Sequence, residues 1–284
     1  MLALEKISLP GCLTKSDFYP KYPAMSDKKI DTSWDDQEIV LSKMTPDTKF
    51  LFDRMTQATI DAVQAGPGEE ILELACGRAV DAFQLALKGA CVFGLDPSDK
   101  MLKKALEWVE PGKNHPVILL RSLAESLPFP DQSFDKLVCK GSIDHFADID
   151  ASLKEMQRVL KPDGNLIISV ANFESLSCKL ARAYDWFYEK LKKRKRTEHP
   201  SWLPPDDHNF KFDYKFLIQK LKPLFEINSI QGLSLLWCFP YWGATLEKLK
   251  PDTAQKILKA LDKIANLVPS LSDVLVVSAR RKSD

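Results

Sequence analysis

Residues 71–86 read ILELACGRAVDAFQLA. The opening apolar run, Ile71, Leu72 and Leu74, has the length of a buried strand, and helical spacing resumes at Val80, Phe83, Ala86 and Leu87. Between the two, the chain turns through the small residues Ala75, Cys76 and Gly77. A strand that passes into a helix through small residues leaves backbone N–H groups unpaired at the turn, and a polar or anionic ligand can lie against them. A second apolar run, residues 91–95, ends in Asp96. An acid at the end of the second strand of a doubly wound sheet is the usual grip on ribose hydroxyls. Turn and acid together predict a nucleoside site.

Outward from this turn the pattern alternates. Strands are expected at 71–75, 91–95, 117–120, 136–140 and 166–170, with helices at 80–88, 101–109 and 150–160 between them. Such alternation predicts a parallel sheet covered on both faces, with the ligand outside the C-terminal strand ends. Thr45-Pro46-Asp47 reads as a helix start, with Thr as N-cap, and that helix should run to about Gln64 before Gly66-Pro67-Gly68 stops it. Further on, helices are expected at 174–191, 214–221 and 254–268, and strands at 225–230 and 274–279. Residues 1–44 form an N-terminal arm or cap. Residues 45–284 form one α/β domain, with helical lid insertions at about 172–215 and 232–271. The second insertion carries the aromatic segment LLWCFPYW at 235–242, expected as core plus lid over an apolar acceptor.

Composition sets the broad class. With 284 residues, 45% of them hydrophobic, the chain can build a substantial core, and a net charge of +1 argues against a general nucleic-acid binder. The six cysteines show no CxxC or CxxH spacing, and no run of metal-ligand spacing is present. No apolar run approaches the roughly 18 residues of a membrane span, and the start MLALEKISLPG lacks the cationic region of a secretion signal. A cytoplasmic location is therefore expected. GxGxxG is absent, because the turn reads ACGRAV, which removes the main motive for a nicotinamide dehydrogenase. The run at 190–196 is cationic at six of seven positions. It reads as a solvated helix end, or as a contact for an anionic membrane surface or RNA.

ILELACGRAVDA, GLDPSDKML, AESLPFPDQSFD and EMQRVLKPDG follow one another in this order. Together they resemble the successive motifs of class I S-adenosylmethionine-dependent methyltransferases, closest to the small-molecule type with an AE-x-LPFPD-x-SFD loop. The resemblance covers about residues 45–172 and implies a seven-stranded, mostly parallel sheet whose last strand is antiparallel. It implies S-adenosyl-L-methionine as cofactor and a methyl acceptor of small-molecule class, partly apolar. By the same resemblance, Glu73 would lie near the methionine amino group, with Ala75, Cys76 and Gly77 under the methionine and ribose. Asp96 would accept from the ribose hydroxyls, and Pro97 and Met101 would lie toward the adenine. Ala124 and Glu125 would flank its edge, and Lys140 and Gly141 would lie below the methionine end. Two family glycines are replaced by Ala75 and Ala79, an obstacle only where the backbone needs a positive φ. Leu123 stands where an acid often faces the adenine amino group.

Each candidate also has a plainer reading. Asp96 suits the N-terminus of the next helix, and Glu73 suits a part-buried acid paired with a lysine. Ser142-Ile-Asp144-His145 follows the fourth strand, where a methyl acceptor should sit. Asp144 and His145 are the candidate catalytic pair, because an imidazole can take a proton from an acceptor at neutral pH. Alternatively, His145 packs against adenine or caps the next helix. His208 and Asp206-Asp207 would line the acceptor pocket or form a polar loop. A non-catalytic binding protein with this fold is the competing reading.

Overall fold

A computed structural model describes residues 31–36, 44–107, 117–197 and 200–282. Seven strands form one sheet: β1 (Glu70–Leu74), β2 (Cys91–Asp96), β3 (Val117–Arg121), β4 (Phe134–Lys140), β5 (Leu160–Ala171), β6 (Phe225–Leu233) and β7 (Val274–Arg281). Their order is β3-β2-β1-β4-β5-β7-β6. β1 to β5 pair in parallel and β7 is antiparallel to both its neighbours, as the resemblance implied. The helices are α1 (Pro46–Val63), α2 (Val80–Ala86), α3 (Asp99–Leu106), α4 (Ile149–Val159), α5 (Leu176–Lys192), α6 (Tyr214–Leu221), α7 (Trp242–Leu246) and α8 (Pro251–Leu267).

Side-chain alternation along β1 divides the core into two layers. Leu72 and Leu74 pack with Leu153, Met156 and Leu217 from α4 and α6. Ile71 packs on the other face with Leu51, Ala58 and Val63 of α1 and with Ala82 and Leu85 of α2. Glu73 shares the parity of Ile71 and so points toward α1 and α2. Strand order reverses between β1 and β4, and the crevice at that switch point is where an open α/β sheet takes its ligand.

The LPFPD loop has a structural job. Phe93, Phe129 and Phe134 form an edge-to-face trio with centroids 4.7 to 5.6 Å apart. Arg158 of α4 donates to the carbonyls of Phe129 (2.7 Å) and Leu127 (3.1 Å) and pairs with Glu155 and Asp131. That fork fixes the loop that leads into the cavity wall. Helix α1 stops at Gln64, which takes the left-handed conformation itself (φ 50°), ahead of the Gly-Pro-Gly turn. Thr45 occupies the N-cap position but its side chain makes no cap bond, meeting Thr48 instead.

The expected lid at 232–271 is corrected: none of these residues lines the main cavity. Leaving β6 on the face that α1 covers, they extend the core sideways. Leu246, Ala254 and Leu258 close over Phe50, and Trp237 Nε1 donates to Thr48 Oγ1 at 3.2 Å. Ala254, Leu258 and Ala265 of α8 are buried in this way, while Ile264 and Val268 at its far end stay exposed. Of the other expected lid, 172–215, only Asp207 reaches the cavity. Most of the N-terminal arm, residues 1–30 and 37–43, lies outside the described residues.

Asp273 anchors the side layer. Its carboxylate accepts from Trp237 N–H at 3.0 Å, and burial pushes its pKa up to about 6 against the pull of Ser177, Trp237, Ser175 and Ser234. The unfolded carboxyl titrates near 3.9, so the folded state binds more protons between those values. This contribution is complete below about pH 4 and lost as pH rises through about 6. Asp273→Asn is expected to melt higher than the parent at pH 8, by an amount worth up to about 3 kcal/mol, and to lose that advantage at pH 4. Melting curves at both pH values check it.

Candidate functional site

A cavity of about 450 Å³ opens at the C-terminal ends of β1, β2 and β4, within the range of roughly 300–1,000 Å³ for small-ligand sites. Ala75, Cys76 and Gly77 lie along it, with Asp96, Pro97 and Met101 on one side. Ala124 and Glu125 stand on a second side, and Lys140, Gly141 and His145 on a third. All the expected cofactor residues except Glu73 therefore meet at one cavity. Of the expected catalytic pair, His145 lines it and Asp144 lies behind.

The turn after β1 explains the family's glycines and this chain's cost for replacing them. Ala75, Gly77 and Ala79 all take left-handed backbone, with φ of 51°, 54° and 56°. An alanine there costs about 1–2 kcal/mol, partly offset because glycine loses more entropy on folding. The double change Ala75→Gly with Ala79→Gly is expected to raise the melting temperature by about 2–4 °C. A lower melting temperature would show that the alanine methyl groups supply packing that outweighs the strain.

Asp96 bridges the turn and the next helix. Its Oδ2 accepts from Gly77 N–H at 2.9 Å and its Oδ1 from Ser98 N–H at 2.8 Å. Burial raises its pKa, and the two N–H donors oppose the rise. A carboxylate offers about four lone-pair sites, so two remain for a ligand's hydroxyls.

Glu73 does not line the cavity. It is 3% exposed, under α2, near Asp81 and Lys140. Burial and the Asp81 charge push its pKa well above the ordinary carboxylate range, with Lys140 opposing. Lys140 pairs with Asp81 and donates to Thr56 Oγ1 at 2.9 Å, so its charge at the cavity is largely matched. Glu125 lines the cavity, but its Oε1 already accepts from the N–H groups of Ala147 (2.7 Å) and Asp148 (3.3 Å). That bond holds the loop after β3 to the start of α4.

At the opposite end the structure joins two segments that lie far apart in sequence. Asn209 donates its backbone N–H to Asp144 O at 2.8 Å and its Nδ2 to His145 O at 2.7 Å. This places His208 Nδ1 3.0 Å from Asp144 Oδ2 and stacks the His145 and His208 rings edge to face at 4.4 Å. His145 Nδ1 lies 3.2 Å from the Asp207 carbonyl, and its Nε2 lies 3.9 Å from Asp144 Oδ1. Burial lowers the His208 pKa, but Asp144 and Asp207 outweigh it, and the net shift is upward.

Sequence reasoning offered residues 1–44 as an arm or cap but singled out no residue of the strap at 31–36. Trp34 and Asp36 line the cavity, held because Ser98 Oγ donates to Trp34 O at 2.7 Å and Arg78 and Lys104 pair with Asp36. Phe52 and Met55 of α1 also face the cavity. The cluster Trp34-Asp35-Asp36 was the available signal, because an aromatic beside two acids stands out in an otherwise aperiodic arm.

Comparison with known proteins agrees with this geometry. Residues 72–168 match a family model described as a methyltransferase domain. The demethylmenaquinone methyltransferase of Mycobacterium marinum is 35% identical over 112 residues, covering 39% of this chain and 46% of that protein. The chain thus spans about half the length of the curated relatives it matches. Among solved structures, a SAM-dependent methyltransferase from Methanosarcina mazei aligns over 79% of this chain and 96% of its own, at TM-score 0.53 and 21% identity. The cyclase SpnF aligns over 96% and 89%, at TM-score 0.54 and 18% identity, so one fold carries different chemistries. Strand order and the left-handed turn after β1 thus agree with a methyltransferase domain at residues 72–168, carried in a seven-stranded, Rossmann-like methyltransferase fold.

Proposed function

We propose that the chain binds S-adenosyl-L-methionine in this cavity and methylates a partly apolar small molecule in the cytoplasm, releasing S-adenosylhomocysteine. The carrying observation is Asp96, fixed at the cavity by two backbone N–H groups with half its acceptor capacity open. The turn at Ala75, Cys76 and Gly77 would support the methionine and ribose, and Pro97, Met101, Leu123 and Ala124 would supply apolar walls for the adenine. The bound cofactor supplies an electrophilic methyl on a sulfonium. The protein's main task is then to hold the acceptor in line with that methyl.

His145 is placed to receive the acceptor's proton. With Nδ1–H donating to the Asp207 carbonyl, Nε2 keeps its lone pair, and Asp144 behind it stabilises the imidazolium that forms. His208, held by Asp144, positions that carboxylate. The Mycobacterium relative's name points to a quinone-type acceptor, and Phe52, Met55 and Phe146 give this cavity walls suited to an apolar ring. Calorimetry with S-adenosylmethionine and S-adenosylhomocysteine is the test, followed by an acceptor screen read as S-adenosylhomocysteine release. Absence of binding at millimolar cofactor sinks the enzyme reading in favour of a non-catalytic role.

A second reading comes from the same residues. Ligand atoms of Asp144, His145 and His208 lie within 4.8 Å of one another, and Asp144 Oδ1 is buried without a hydrogen-bond partner. A divalent cation there would polarise an acceptor oxygen instead of the imidazole taking its proton. Activity lost on chelation and restored by added cation favours this reading; activity indifferent to chelation favours proton transfer.

A further inference from the structure

Helix α5 turns toward solvent a face that the core leaves uncovered. Lys179, Leu180, Trp186, Phe187, Lys190 and Leu191 recur at four- and seven-residue spacing on one side of it, and every one is exposed. Trp186 is 55% exposed, Phe187 58% and Leu191 79%, values that no packing among the described residues accounts for. The Trp186 and Phe187 rings meet edge to face at 4.8 Å, and Lys190 Nζ sits 4.9 Å over the Trp186 ring. Asp185 turns inward to Arg196 and Trp202 Nε1 (2.8 Å), and Glu189, at 100° per residue, falls opposite Phe187 and Leu191 and borders the stripe only at Trp186.

The helix runs directly into the basic segment. Lys193 ends it in left-handed backbone (φ 51°), and the Arg196–Asp185 pair folds the following residues back along the helix. Lys190, Lys192, Lys193 and Arg194 therefore flank the aromatic end, all of them exposed. A solvated helix end would account for the lysines but not for three large apolar side chains beside them. A symmetric contact between two copies would set this basic cluster near its own image, which like charge opposes. An apolar helical stripe bordered by cations is the composition of a helix lying in a lipid interface.

We propose that this face docks on an anionic lipid bilayer, with Trp186, Phe187 and Leu191 entering the headgroup region and the basic segment facing lipid phosphates. The same excursion returns to the cavity through Asp207, so a docked chain would present its acceptor end from an element tied to the bilayer. The docking stands independently of the methyl-transfer reading.

The experiment is sedimentation of the full chain with vesicles of phosphatidylcholine alone and of phosphatidylcholine mixed with phosphatidylglycerol. Two triple variants accompany it: Trp186→Ser with Phe187→Ser and Leu191→Ser, and Lys190→Gln with Lys192→Gln and Lys193→Gln. Both alter exposed side chains only, so melting and S-adenosylhomocysteine binding are expected unchanged. The parent should bind the anionic vesicles and not the neutral ones, and each variant should bind at least about tenfold more weakly. No preference for anionic vesicles, or binding by either variant as tight as the parent's, overturns the proposal. So does a concentration-dependent dimer broken by the serine variant, or RNA retention through the basic segment, where vesicle binding is missing.

Discussion

Asp96→Ala is expected to weaken S-adenosylhomocysteine binding about a hundredfold or more, measured by calorimetry. A hydrogen bond to a charged acceptor contributes about 1.5–3 kcal/mol, and two ribose hydroxyls on one carboxylate make that about 3–6 kcal/mol, at 1.4 kcal/mol per factor of ten. The substitution also removes the acceptor for Gly77 and Ser98 N–H, so the turn itself could loosen. Asp96→Asn separates the two effects. It keeps one acceptor oxygen for the backbone but loses the charge, and about a tenfold loss is expected, with melting of the free protein close to the parent. Because burial raises the Asp96 pKa, affinity should also fall as acid pH protonates it, and the Asn variant should lack that fall. If Asp96→Ala binds within about threefold of the parent, the ribose assignment is wrong and the acid serves only the turn and the α3 N-terminus.

The part of this site that was legible in the sequence is the part built by consecutive residues. A strand, a small-residue turn and a helix define ILELACGRAV locally, so Ala75, Cys76, Gly77 and Asp96 could be assigned to one ligand from spacing. What spacing could not supply is the direction of Glu73. Its strand parity sends it under α2, a fact set by which helices cover each face of the sheet. Nor does LPFPD reveal that its role is packing, since that depends on Arg158 reaching back from α4 to two loop carbonyls. The aromatic insert misled for a related reason. Apolar side chains suit a lid and a side layer equally, and only the exit of β6 on the α1 face decides between them. The meeting of Asp144 and His145 with His208 was the least legible of all, because Asn209 fixes it from a loop without periodicity.

That meeting carries the second large expectation. His145→Gln should lower the methyl-transfer kcat about 10²–10⁴-fold, the usual range for loss of a positioned proton acceptor. S-adenosylhomocysteine affinity should change less than about twofold, because His145 stands at the acceptor end, across the cavity from Asp96. Asp144→Asn should act through the ring it supports. Losing the carboxylate leaves the His145 imidazolium without its counter-charge and His208 without its partner, so kcat should fall. His208→Gln should cost less, since it contacts Asp144 and not the cavity. Should His145→Gln keep the parental kcat, transfer proceeds by alignment alone, as the electrophilic sulfonium permits with an acceptor already ionised or lacking a proton to lose. Loss in all three variants together, with rescue by added divalent cation in the parent after chelation, would move the site to the metal reading, because three ligands removed singly each empty the same position.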